Sequence, residues 1–233
     1  MKLVLKIVLF ILFPFVAIAQ PTSGTTGLLN IPSAEMQPDG TFMFGGNYLP
    51  EPITPDRFSY DTGNYYLNIT FLPFLEVNYR LTLLQTVRTG KYNQQDRSFA
   101  LRGRLFKEQR FFPSVVIGAN DLYTHTSGNK GNQNFGVVYT VATKNFGWRE
   151  SNISATLVYG IDAFQKKQYS GVFGGIAFSP CFFKQMIFMA EYDSKVFNAG
   201  VSLLLFNHLY LHAFAYDLKY FCGGVAYKVY LKR

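Results

Sequence analysis

Two residues are spaced so that they could form a serine–histidine pair. Ser202 and His212 flank the short connector Phe206-Asn207-His208, which would place them opposite each other across a hairpin. A serine nucleophile needs a histidine base within reach and a third group that orients that base. That third group is missing, because Ala226 is predicted across from His212, and Glu191 lies over ~12 Å along the strand at the usual strand rise. We therefore expect a polar interior contact, no catalytic residue and no enzymatic activity.

A second set of residues is basic. Arg80, Arg102 and Arg104 lie on two successive predicted strands and Lys228 lies on the last one, all on the inward face. Because guanidinium groups suit carboxylates and phosphates, this cluster could form a weak site for an anionic glycan or for an acidic segment of a partner. The other interpretation, which we favour, is a lumen filled by ion pairs with acids such as Glu76, since small barrels usually fill their interiors. Four inward aromatic side chains favour the same interpretation: Tyr66, Tyr210, Phe214 and Tyr216.

No part of the sequence has the pattern of a metal or nucleotide site. His125, His208 and His212 are predicted in a loop, a turn and a strand, so a shared metal is not expected. We expect no metal, no cofactor and no nucleic-acid partner. The formal net charge of +8 could favour acidic polysaccharide or lipid phosphate, but we favour solvated loop lysines as its explanation.

The elements that carry these residues are predicted to be short β-strands. From residue 41 onward, most stretches alternate apolar with polar or small residues, most clearly from Phe99 to Leu105, where the odd positions suit lipid and the even ones a polar lumen. We predict twelve strands, at 41–48, 64–72, 75–83, 98–106, 114–121, 134–144, 150–160, 171–179, 186–193, 197–205, 209–217 and 221–231.

The connectors between these strands alternate between tight and long. The tight ones include Pro73-Phe74-Leu75, Asn145-Phe146-Gly147 and Phe206-Asn207-His208, and the long polar ones are 49–63, 84–97, 122–133 and 161–170. This alternation is typical of outer-membrane barrels, which have short periplasmic turns and longer external loops. The fold class predicted is therefore all-β, a transmembrane antiparallel up-and-down β-barrel of about twelve strands. A soluble β-sandwich is the alternative, but it fits poorly with long strands and an aromatic content of 18%.

Two hairpins give a register. A turn at Pro73-Phe74-Leu75 would pair Phe71 with Val77 and Ile69 with Tyr79, which keeps apolar residues on one face. A two-residue turn at Ser194-Lys195 would pair Tyr192 with Phe197.

The chain is predicted to have three parts. Residues 1–19 resemble a secretory signal peptide, with a small-residue cleavage site at Ala17-Ile18-Ala19, and a membrane anchor is the weaker alternative. Residues 20–40 form a periplasmic segment whose apolar residues Leu28, Leu29 and Ile31 need burial, either as a partial plug of the barrel or on a partner. Residues 41–233 form the barrel. Cys181 and Cys222 would lie at its opposite ends and stay unpaired.

The segment from Gly27 to Phe42, GLLNIPSAEMQPDGTF, resembles the opening motif of the YjbH-like exopolysaccharide proteins. Further matches follow in the order of that family: Asp96-Arg97-Ser98-Phe99, Phe112-Pro113-Ser114-Val115-Val116-Ile117-Gly118-Ala119-Asn120-Asp121, Val141-Ala142-Thr143-Lys144 and Ala190-Glu191-Tyr192-Asp193. The resemblance implies an outer-membrane barrel involved in the making or export of extracellular polysaccharide. This chain is far shorter than the better-known members, and the resemblance supplies no catalytic residues.

Three functional hypotheses follow. The first is a non-enzymatic outer-membrane barrel of a Gram-negative bacterium that takes part in exopolysaccharide or capsule biosynthesis or export. The second is an accessory barrel of a larger outer-membrane complex without transport of its own, and the third is an outer-membrane lipid hydrolase. The expected partners are outer-membrane lipid, anionic polysaccharide and other outer-membrane or periplasmic export components.

Overall fold

Successive residues of a strand point to opposite faces of the sheet, and the sheet closes so that the inward face, which carries polar, small and aromatic side chains, is buried. The computed structural model describes residues 18–54, 59–85, 90–121, 135–161 and 169–231. The expected signal peptide up to residue 17, and His125, lie outside the described residues. The strands are β1 (Thr41–Leu49), β2 (Thr62–Phe71), β3 (Leu75–Gln85), β4 (Tyr92–Phe106), β5 (Ser114–Asn120), β6 (Val137–Trp148), β7 (Ser151–Ile161), β8 (Gly171–Ser179), β9 (Met186–Tyr192), β10 (Phe197–Leu205), β11 (Leu209–Tyr216) and β12 (Tyr220–Tyr230).

The strands form a closed antiparallel barrel in which each strand pairs with its neighbours in sequence and β12 pairs with β1. The predicted number of strands and the up-and-down order are confirmed. A single turn of 3-10 helix, Glu51–Ile53, follows β1. Among the described residues, no helix has the length and apolar character needed to cross a membrane.

The barrel has two ends that differ in their connectors. We call the end that carries residues 72–74, 107–113, 149–150, 180–185 and 206–208 the turn end, and the opposite end the loop end. Two short connectors, 193–196 and 217–219, also lie at the loop end.

The inward and outward faces follow the predicted alternation. Along β3 and β11, every second residue is buried without exception. Phe99, Leu101 and Leu105 of β4 point outward and remain 44–56% exposed. The predicted inward aromatics Tyr66, Tyr210, Phe214 and Tyr216 are all buried.

The register of two hairpins differs from prediction. The turn between β2 and β3 is Leu72-Pro73-Phe74, so Ile69 pairs with Val77 instead of Tyr79. Every predicted pair is therefore displaced by two residues, which leaves each side chain on its predicted face. The tight turn predicted at Asn145-Phe146-Gly147 is wrong: β6 continues to Trp148, and Arg149 and Glu150 make the turn with positive φ angles.

The predicted long connector 84–97 is wrong in part, because β3 continues to Gln85 and β4 begins at Tyr92 instead of at residue 98. The turn at Ser194-Lys195 pairs Tyr192 with Phe197, as predicted. Both cysteines are free, Cys181 exposed in the connector after β8 and Cys222 buried in β12.

Candidate functional site

Residues 18–38 lie inside the barrel and contact inward side chains of the strands. The segment folds back on itself, with an isolated antiparallel bridge between Gly27 and Pro32 and a hydrogen bond from the N–H of Leu28 to the carbonyl of Ile31. Leu28, Leu29 and Ile31 are each at most 4% exposed. The apolar side chains of this segment share a core with inward residues of the strands.

Arg102 of β4 joins two parts of this segment to the wall. Its guanidinium donates to the backbone carbonyls of Thr26, Ser33 and Glu35. It also forms a fully buried ion pair with Glu76 of β3, at 3.5 Å. The same Glu76 carboxylate accepts the backbone N–H of Thr26 at 2.7 Å. A bent peptide is thereby held by one cation and one anion.

Glu191 of β9 holds the opposite side of the segment. Its carboxylate accepts the backbone N–H groups of Leu29 at 3.0 Å and Asn30 at 2.8 Å. Successive backbone N–H groups that converge in this way form a cradle for an anion. The side chain of Asn30 extends the contact by donating to Asp193 at 2.8 Å.

Amide and ammonium groups complete the attachment. Asn47 and Asn64 both donate to the carbonyl of Thr22, at 3.0 and 2.8 Å, and Asn78 donates to the carbonyl of Gly24 at 2.9 Å. Lys228 donates to the carbonyl of Ile18 and to the side-chain oxygen of Gln37, both at 3.2 Å. The neighbouring Tyr210 hydroxyl accepts the backbone N–H of Gln20 at 2.8 Å.

The four basic residues predicted as one cluster are separated in the structure. Arg102 and Lys228 contact different parts of the N-terminal segment, as described above. Arg102 pairs with Glu76 of β3, and the buried Arg80 lies four residues farther along the same strand. The guanidinium of Arg80 lies 4.1 Å from the ring centroid of Phe135. Arg104 lies at the turn end and donates to the carbonyl of Pro73. The structure therefore brings no two of the four into a shared site for an anion.

Ser202 and His212 do pair directly across β10 and β11, as predicted. The predicted neighbour of His212 on β12 is wrong, because Gly224 lies opposite it and Ala226 pairs with Tyr210. Among the described residues, neither ring nitrogen of His212 has a hydrogen-bond partner. The residues around this pair therefore contain no carboxylate that orients the imidazole.

The inward asparagines were not identified by sequence reasoning. Asn47, Asn64, Asn68 and Asn78 occupy inward positions on β1, β2 and β3, and three of them donate to the N-terminal segment. The signal that could have identified them is the repetition of one amide residue at inward positions of three successive strands, opposite a segment with many free carbonyls.

Comparison with known proteins gives two findings. The YjbH family model, described as exopolysaccharide biosynthesis protein YbjH, matches residues 19–169. The uncharacterized lipoprotein YjbH of Escherichia coli (strain K12) is similar, at 29% identity over 136 residues. That alignment covers 55% of this chain and 17% of the relative, so the chain spans less than a fifth of the length of the curated relative it matches.

The family match includes residues 19–38 of the segment that occupies the lumen and the first seven strands of the wall that encloses it. A match of this extent covers well over half of the sequence, and the chain therefore belongs to the YjbH family of exopolysaccharide biosynthesis proteins.

Proposed function

We propose that this protein is a non-enzymatic outer-membrane β-barrel that takes part in the production or export of an exopolysaccharide. The observation that carries the proposal is a closed twelve-stranded barrel in a chain of the YjbH family. Family membership points to exopolysaccharide, and the barrel points to the membrane in which such polymers leave the cell.

The outer surface of the barrel supports a membrane location. Large apolar side chains on the outward face of several strands remain exposed, including Phe44, Leu67, Leu101, Leu157 and Ile176 at 45–60%. A transmembrane strand needs about 9–11 residues, and β2, β3, β7 and β12 have 10 or 11. Outer-membrane barrels have short turns on the periplasmic side and longer loops outside, so in the proposed location the turn end faces the periplasm and the loop end faces the cell exterior. The relative from Escherichia coli is described as a lipoprotein, which agrees with a location in the envelope.

The lumen supports a role without catalysis. Its charged groups hold the backbone of the protein's own N-terminal segment, and the Ser202–His212 pair has no orienting carboxylate among the described residues. A hydrolase that uses this pair would lack the third member that fixes the imidazole.

A second candidate function is that of an accessory barrel in a larger export assembly. The occupied lumen favours it, because a polymer cannot share the space that residues 18–38 fill. The export candidate requires the segment to move, whereas the accessory candidate does not.

The test is a deletion strain compared with its parent for surface polysaccharide. We expect less extracellular polymer in the deletion strain, and restoration by the plasmid-borne gene. Restoration by a variant whose N-terminal segment is locked to the wall by an engineered disulfide would favour the accessory role. Loss of polymer with that variant, and recovery under reductant, would favour export through the lumen. An unchanged polymer level in the deletion strain would exclude both.

A further inference from the structure

A cavity of about 510 Å³ lies at the turn end between the N-terminal segment and the wall formed by β6 to β9. The segment contributes Ser33 and Glu35 to its lining, and also the apolar residues Ile18, Ala19 and Leu28 together with Gly27. The wall contributes hydroxyl and amide side chains, among them Asn145, Asn152, Ser154 and Thr156. Its volume falls in the range of roughly 300–1,000 Å³ that is usual for small-ligand sites.

The cavity exists because the inward side chains are small on this side of the barrel. Along the turn end, Thr156 pairs with Gly175 and Ser154 with Ala177 across β7 and β8. On the opposite side the inward positions carry Tyr66, Arg102 and Tyr210, which reach the segment directly. Small residues on three neighbouring strands therefore leave a gap between the wall and the segment.

The lining offers hydrogen-bonding groups that are already oriented. Asn145 donates to Glu35 at 2.7 Å and to Glu108 at 2.6 Å, while its own oxygen accepts the amide of Asn152 at 3.0 Å. The hydroxyl of Ser154 donates to the same oxygen of Asn145. These side chains are half-buried. The network uses both N–H groups of Asn145 and of Asn152, and it leaves the side-chain oxygen of Asn152 as an acceptor whose position is fixed by its neighbours.

The charge of the lining disfavours an anion. Glu35 and Glu150 carry carboxylates, and Lys184 is the ammonium among the lining residues of the described chain. Behind them, Glu108 forms an ion pair with Lys144 at 2.8 Å. Burial tends to raise the pKa of Glu108, but hydrogen bonds from Lys144 and Asn145 outweigh it and hold that pKa below its usual value. The region is therefore not a cationic one, in contrast to the basic cluster expected from the sequence.

We propose that this cavity binds uncharged sugar units of a polysaccharide chain at the turn end of the barrel. The proposal rests on the proposed function, which supplies the polymer, and adds to it a location and a chemical class. Hydroxyl, amide and carboxylate groups held at fixed positions can donate to and accept from sugar hydroxyls at the same time. Phosphate or uronate groups would meet two carboxylates instead.

The test measures binding of oligosaccharides to the full-length protein in detergent by isothermal titration calorimetry. The probes are size-fractionated neutral oligosaccharides released from the strain's own surface polysaccharide by mild acid, together with cellohexaose and, as the anionic contrast, hexagalacturonate. We expect saturable binding of a neutral probe and at least about tenfold weaker binding of hexagalacturonate, because its carboxylates would meet those of Glu35 and Glu150.

Two variants place the binding in the cavity. Ser154→Trp fills the space, and Asn152→Ala removes one amide with little change of shape. Each should weaken binding of the neutral probe by about tenfold or more. Ile153→Trp is the matched control, because residue 153 lies between them on β7 with its side chain on the outer face, and binding should be unchanged. Heat-modifiable migration on gels shows whether each variant is folded. If Ser154→Trp does not fold, the binding measured with Asn152→Ala is the test of the cavity site.

Three results would overturn the proposal: absence of binding of every neutral probe, tighter binding of hexagalacturonate, or unchanged binding by Asn152→Ala. None of these depends on the polymer level of the deletion strain, so the failure of the cavity site is distinguishable from the failure of the proposed function.

Discussion

Glu191 attaches the N-terminal segment to the wall through backbone groups of the segment. It is buried, and it accepts hydrogen bonds from two successive backbone N–H groups and from the side chain of Asn198 at 3.1 Å. In a dry interior, a backbone N–H that loses its acceptor costs the free energy of its desolvation. A single carboxylate thus determines whether several buried donors of the segment are satisfied.

Replacing Glu191 with alanine should therefore destabilise the protein. The N–H groups of Leu29 and Asn30 would lose their acceptor, at a cost of roughly 1–3 kcal/mol for each group. The expected result is a lower temperature for the heat-modifiable transition in detergent. Glu51→Ala is the matched control, since Glu51 is an exposed carboxylate on the loop-end 3-10 turn, and it should leave the transition unchanged. Equal transition temperatures for Glu191→Ala and the wild type would show that the segment does not depend on this carboxylate.

The two cysteines should differ in reactivity. Cys181 is exposed in a turn-end connector, whereas Cys222 is fully buried in β12. A maleimide reagent should modify Cys181 in the folded protein and both thiols after denaturation without reductant. Mass spectrometry of the labelled protein gives the count, and a Cys181→Ser variant should lose the native-state label. A denatured, unreduced sample in which neither thiol reacts would mean that the residues are bridged.

At the scale of the strands, the sequence predicts faces better than register. Alternation fixes which residues point inward, because a shift by one residue turns every side chain to the wrong face. A shift by two preserves the faces, and nothing in the alternation penalises it. The alternation is therefore compatible both with a turn at residues 73–75 and with the observed turn at Leu72-Pro73-Phe74.

The turn at Arg149 and Glu150 illustrates a different limit. Non-glycine residues with positive φ are uncommon, and a Gly residue is the stronger signal for a tight turn. The segment Asn145-Phe146-Gly147 carries that signal, yet Gly147 lies within β6 opposite Asn152. Pairing along the full length of β6 and β7 overrides the local preference.

Deleting residues 21–36 is the test of the N-terminal segment as an element. The deletion removes the backbone groups that bind Glu76, Arg102 and Glu191, so these charged side chains would line an empty lumen without those partners. We expect higher single-channel conductance in planar bilayers and lower thermal stability. A matched control deletes a loop-end residue, Gly90, whose surroundings are open. Unchanged conductance and stability would indicate that the segment does not obstruct the channel.

At the scale of the whole molecule, the expected location can be tested by fractionation. The exposed apolar outer surface predicts that the mature protein separates with outer membranes and migrates differently on gels before and after heating. Recovery as a soluble periplasmic protein would exclude a membrane-spanning barrel. An outer-membrane porin of the same strain serves as the control for fractionation.

The interior of the barrel was only partly predictable. The apolar residues Leu28, Leu29 and Ile31 indicate a need for burial, and that need is visible in the sequence. The partners of the segment are not, because Glu191 and Arg102 lie more than sixty residues from the backbone groups they bind. An inward charged side chain on a strand can bind an opposite charge, a bound anion or a peptide group. Which of these it binds depends on the groups that the closed barrel brings next to it.

The position of the N-terminal segment has a consequence for assembly. It is synthesised before every strand that binds it, and it continues directly into β1, the strand that closes the ring with β12. An inward charged side chain of a later strand can therefore bind the backbone of the segment before the strands on the opposite side of the barrel have paired. We therefore expect residues 18–38 to favour closure of the barrel, because β12 must pair with β1 around a lumen that this segment fills.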